Sequence, residues 1–199
     1  EQGNYQEALL NHQESLKIAE DLDQKSSIAS SCNNIGNIYS SKEDFEKALF
    51  YHKKSLKISK EVGSKSGIAA SYINLADLYF EKDDYIYALD LGKKALNLAK
   101  EAGFIYQIKL ASGLLWDIYK KTGQPASALE MHELYIEMRD SINSIENKEA
   151  AIKLEFQYKY EKEQVLAEAK HQEQMALSAE REKRQQLIAY SAGGGLVMV

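Results

Sequence analysis

Cysteine occurs once in these 199 residues, at Cys32, and proline once, at Pro125. A lone thiol cannot close an internal disulfide, so the fold is not stapled and the redox compartment stays open. Polar and apolar residues do not alternate over any useful length, which excludes a predicted sheet. Basic residues number 25 against 30 acidic ones, a net charge of −5, and they form no stripe. Nucleic-acid binding needs clustered cations against phosphates, so that partner class is excluded. There is no glycine-rich phosphate loop, His-Glu zinc pair, cysteine pair or nucleophile elbow. Carboxylates alternate with lysines as solvated helix faces. No catalytic residue, metal or cofactor is therefore assigned.

What is present is a repeat. Ala8, Ala48, Ala88 and Ala128 recur at forty residues, each followed by leucine at 9, 49, 89 and 129. Tyr39, Tyr79 and Tyr119 keep the same register, as do Ile35, Leu75 and Leu115, and Ile28, Ile68 and Ile108. Self-similarity at this period marks stacked repeats, which bury a continuous core and expose a long concave face. A hydrophobic content of 44% suffices for that core. Asp44 and Asp84 stand where N-caps belong, and Gly63, Gly103 and Gly123 where helices end. The apolar spacing predicts helices over 4–20, 25–41, 44–61, 65–81, 84–101, 104–121 and 125–143, with Pro125 in the first turn of the last.

The pattern resembles the tetratricopeptide repeat, in the forty-residue form of kinesin light chains and many bacterial sensors. The first-helix signature is Ile35-Gly36…Tyr39, then Leu75-Ala76…Tyr79, then Leu115-Trp116…Tyr119; the second-helix alanines are Ala48, Ala88 and Ala128. Ser15, Ser55 and Ala95 are the further small residues, while Tyr135 and Trp116 depart from the pattern and predict a last unit that packs differently. The resemblance implies an all-α fold, a superhelical solenoid of antiparallel helix pairs over 1–143 followed by one long C-terminal helix. The first unit is truncated and three helix pairs follow.

The resemblance also implies a concave groove lined by the first helix of each unit, which binds a protein or peptide. The groove positions carried across are Asn33, Asn37, Ser40 and Ser41 in one unit, Ile73, Asp77, Phe80 and Glu81 in the next, and Asp117, Lys120 and Lys121 in the last. Asparagine suits the task because its amide both donates and accepts. Asn34 and Asn74 are read as bridges between helices. Asn33, Ile73 and Gly113 stand where a carboxylate-clamping lysine would be useful, so chaperone-tail binding is not implied. His12, His52 and His132 share one register position on separate layers, which gives packing or partly exposed roles and no shared metal site; His171 is read as solvated.

Residues 144–186 contain no glycine or proline. Leu154, Val165, Ala176 and Leu187 lie eleven apart, as do Leu166, Leu177 and Ile188, a period that suits a nearly straight coiled coil. This predicts a charged stalk able to pair as a homodimer; the alternative is a helix docked on the repeats through Ile145, Ile152 and Phe156. Residues 187–199 carry no charge. Thirteen residues cannot span a bilayer, which takes about 20, and the segment is read as the start of a truncated transmembrane helix. The first residue, Glu1, falls within a repeat unit, so the sequence is read as a fragment.

This order resembles the input region of bacterial membrane-bound signalling proteins, commonly with a downstream histidine kinase. The expectation is a non-catalytic binding sensor with the repeats outside the cytoplasm, in the periplasm. Against it stand Arg181, Lys183 and Arg184 beside the apolar run, which the positive-inside rule places in the cytoplasm. The alternatives are a cytoplasmic scaffold or adaptor and a peptide-responsive regulator.

Overall fold

A computed structural model describes residues 2–194, with side chains from Tyr5 onward except those at 169, 173, 187 and 189–194. Seven helices account for the described chain: α1 Gln2–Asp21, α2 Lys25–Ser41, α3 Phe45–Glu61, α4 Lys65–Glu81, α5 Tyr85–Ala102, α6 Ile105–Lys121 and α7 Pro125–Gly194. No strand occurs among the described residues. The chain divides into two compact units after Ser144.

In the first unit the helices stack in sequence order, each against the next, and α4 also touches α2 on one side and α6 on the other. Ala48 and Ala88 are wholly buried, as the small-residue rule for close helix crossings requires. Leu115 and Ile118 of α6 pack with Ala88, Ala95 and Ala99 of α5 and with Met131 of α7. Two buried hydroxyls are bonded through the stack: Ser71 donates to Ser55 at 3.1 Å, and Ser55 donates to the Ala29 carbonyl at 2.8 Å. One such chain links α4, α3 and α2.

Every turn uses the same ending. Asp23, Glu43, Gly63, Asp83, Gly103 and Gly123 all have positive φ, twenty residues apart. At the first of them Gln24 N–H reaches the Ala19 carbonyl at 2.9 Å and Asp23 N–H reaches Glu20 at 3.1 Å, the pair of bonds that satisfies a helix's last carbonyls. Asp44, Ser64 and Asp84 then cap the following helices by accepting from the amides of Lys47, Gly67 and Tyr87.

At Trp116 the expected difference in packing is present. Its ring lies 4.2 Å from that of His132 and 6.4 Å from that of Tyr135. Gly113 makes room for Tyr135, since a Cβ there would come within 3.2 Å of the Tyr135 ring.

A helix end expected at 143 does not occur. α7 runs unbroken to Gly194 because neither glycine nor proline interrupts residues 126–192. In the second unit Ile145, Ile152, Leu154, Phe156, Val165, Leu166, Leu177 and Ile188 are all exposed. Among the described residues no helix is long and apolar enough to cross a membrane. The expected transmembrane start at 187–199 lies partly outside the described residues, which end at 194.

Candidate binding groove

α2 and α4 present parallel faces to one another. Residues recurring at helical spacing along them, Ser30, Asn33, Asn37 and Ser41 on α2 and Ala70, Asn74, Asp77 and Glu81 on α4, line the space between. Its C-terminal half is a cleft of about 570 Å³ bounded by Asn37, Ser40, Ser41, Asn74, Asp77 and Glu81, with Glu43, Phe45 and His52 at its floor and end.

Three asparagines hold the two walls at a fixed spacing. Asn74 Nδ2 donates to Asn33 Oδ1 at 3.0 Å and to Asn37 Oδ1 at 2.9 Å. Asn33 Oδ1 also takes a bond from His52 Nδ1 at 3.0 Å. An amide oxygen only accepts, so Nδ1 of His52 carries the proton. Burial without a charged partner holds this imidazole neutral and lowers its pKa to about 4. Among the described residues two amide groups keep no partner: Asn37 Nδ2, a donor, and Asn74 Oδ1, an acceptor.

The cleft is acidic. Asp77, Glu81 and Glu43 line it, and among the described residues no lysine or arginine does. Desolvation, and then the neighbouring Glu81, raise the Asp77 carboxyl above its ordinary range. A cationic group placed there would relieve both effects.

Of the residues expected to line the groove, Asn37, Ser40, Ser41, Asp77 and Glu81 meet around this cleft. Asn33 lies deeper, within the bonded network. Ile73 does not reach the groove: it is 7% exposed and belongs to the core with Ala95 and Ile108. The position occupied by Asn33 in one unit turns inward when it carries an apolar side chain. Phe80 is half-buried and packs on Tyr85, 5.7 Å between ring centres. Asp117, Lys120 and Lys121 are exposed on α6 and do not line the cleft. Lys120 spends its charge on Asp117 at 3.8 Å and over the Trp116 ring at 4.7 Å. Asn74 bridges helices as expected and also forms a cleft wall. His52 and Glu43 were missed as lining residues. Glu43 reaches the cleft from a left-handed turn, φ 58°, that no glycine announces.

The tetratricopeptide repeat profile matches residues 1–61 and 27–101, the stretches that build these stacked helix pairs. The chain belongs to the tetratricopeptide repeat family. The fold agrees with the crystal structure of BtubC (BKLC) from P. vanneervenii, to which this repeat protein is similar at TM-score 0.61 and 21% identity. The match covers 71% of this chain and 59% of that one. The apo form of RapI is a more distant structure, TM-score 0.48 and 20% identity, covering 71% of this chain and 64% of that one. The chain thus spans less than two thirds of either. No curated protein matches it. Tetratricopeptide repeats are generally non-catalytic protein-interaction modules, and this chain carries three stacked pairs of that design.

Proposed function

We propose that the α2–α4 cleft holds an extended segment of a partner protein and places a lysine or arginine of that segment against Asp77, Glu81 and Glu43. The observation that supports this most is the pairing of an acidic lining with two unused amide groups, Asn37 Nδ2 and Asn74 Oδ1, on facing walls. One donor and one acceptor match a single peptide unit of an extended backbone. The acidic end then supplies charge complementarity.

A peptide panel tests it. Fluorescently labelled peptides carrying lysine or arginine should bind, and their glutamate counterparts should not. The double variant Asp77→Lys, Glu81→Lys should weaken the basic peptides by at least about tenfold, a modest toll for reversing close charge pairs. Equal binding of basic and acidic peptides, or no effect of the reversal, sinks the reading.

As the wider setting we propose the input region of a membrane-bound signalling protein of histidine kinase type, anchored through the apolar segment from 187 and pairing as a homodimer through the exposed apolar residues of 145–188. The sequence order and that exposed stripe support it. The repeats would lie in the periplasm. A cytoplasmic scaffold is the second reading, favoured by Arg181, Lys183 and Arg184 beside the apolar run. Reporter fusions on either side of that run decide between the two.

A further inference from the structure

The same groove changes character toward the N-terminal ends of α2 and α4. There it deepens into a separate recess of about 280 Å³ whose lining includes Ser26, Ser30, Asn33, Ser59, Ser64 and Ser66, and no acidic residue. The acidic cleft lies on the C-terminal halves of the same two helices. One end of the groove is therefore acidic and the other is lined by neutral residues, mostly serines.

The recess is rich in unused donors. Ser64 Oγ accepts from Gly67 N–H and Ser66 Oγ accepts from Gln107 Nε2, so both hydroxyl protons remain available. Asn33 uses its oxygen twice, which leaves its NH₂ group free among the described residues. The first amides of α4, a helix of 17 residues, bring the positive end of its dipole to the same place.

Ser59 supplies an independent sign of a missing occupant. Its side chain is 1% exposed, and its Oγ is a buried polar atom with no hydrogen-bond partner among the described residues. A buried hydroxyl left unpaired forfeits its hydration without compensation, so such groups normally find something to bond. The direction of this hydroxyl is fixed by Gly67: a Cβ built on that glycine would stand 2.6 Å from Ser59 Oγ. It therefore points at the first turn of α4, where the other donors gather. The missing side chain of Gly67 leaves the space this hydroxyl occupies.

We propose that this recess binds a phosphoryl group. Its donors come from three elements, α2, α3 and α4, and surround a tetrahedral oxyanion better than a planar carboxylate, which presents two oxygens. Lys25 and Lys65 stand beside the lining serines in sequence; Lys25 is shared with Glu61 at 3.6 Å. This proposal deepens the peptide-groove reading and rests on it for one consequence: an occupant with a phosphate at one end and a basic side chain at the other would have its direction along the groove fixed.

The test is a titration of the whole ¹⁵N-labelled chain at constant ionic strength, followed through the amides of Ser64, Ser66 and Gly67 and the side-chain amide of Asn33. The probes are inorganic phosphate and acetylated phosphoserine amide, with acetate and chloride as comparison arms. Saturable shifts confined to these groups in either phosphate arm support the proposal. Tighter binding of phosphoserine assigns a phosphorylated segment, and tighter binding of inorganic phosphate assigns the free ion. Ser59→Ala should weaken the shifts about tenfold, the worth of one hydrogen bond to a charged group. Absence of saturation, equal response to acetate or chloride, or unchanged binding by Ser59→Ala overturns it. Basic-peptide binding at Asp77 and Glu81, measured on Ser59→Ala, reports separately on the cleft.

Discussion

The imidazole of His52 lies against the bare Cα of Gly36: a Cβ added there would stand 2.6 Å from His52 Cε1 and 2.7 Å from Nδ1. The same register positions carry small residues forty on, Ala76 and Gly92, and large ones after a further forty, Trp116 and His132, whose rings lie 4.2 Å apart. In the first unit a missing side chain on α2 is what admits a buried imidazole from α3, and that imidazole in turn positions Asn33.

Gly36→Ala should destabilise the repeat unit. Overpacking costs roughly 1–3 kcal/mol, against roughly 1 kcal/mol that alanine gains over glycine inside a helix. Urea denaturation should show a net loss, and His52→Ala should cost less in the Gly36→Ala background than in the parent because the two groups touch. Additive effects would contradict the contact.

Stability should fall with acidification through His52. Its pKa moves from 6.5 to about 4 on folding because burial disfavours the charged ring. Between those values the unfolded chain binds more protons, so the stabilisation is complete above pH 6.5 and is lost as pH drops through 4. The loss is at most about 3.5 kcal/mol, at about 1.4 kcal/mol per unit. His52→Gln should flatten that part of a stability–pH curve measured by denaturation; an unchanged slope would assign it to other groups.

Cys32 should be silent until the helices part. It is wholly buried, and desolvation raises its thiol above the usual range. Reaction with a thiol-specific disulfide reagent should be slower than in the unfolded chain by at least about a thousandfold, as opening of a stable domain requires. The labelling rate should climb with urea in step with helix loss. Fast labelling of the native chain would place Cys32 in a frayed region instead.

The alanine register at 48, 88 and 128 and the capping residues Asp44 and Asp84 were legible because they obey local rules of period and geometry. Turns at Glu43 and Asp83 were not, since an acidic residue in the left-handed region carries no compositional flag. The groove was half legible. Repeating the register found Asn37, Asp77 and Glu81, but the same step misplaced Ile73, whose side chain is drawn into the core. It also missed the unpaired Ser59 hydroxyl, because serine reads alike whether its partner is present or lacking.

Periodicity and small residues at fixed spacing were enough to set the helices of the repeats and their pairing, whereas the continuity of α7 through residue 143 was not read, although no helix breaker stands between 126 and 192. Those properties are local or recur at one distance along the chain, and a sequence displays them directly. The different linings of the two groove ends, the neutral His52 and the asparagine bridge depend on groups 16 to 41 residues apart meeting within bonding distance. Only close packing of one helix on another decides which polar atoms are satisfied there and which are left waiting.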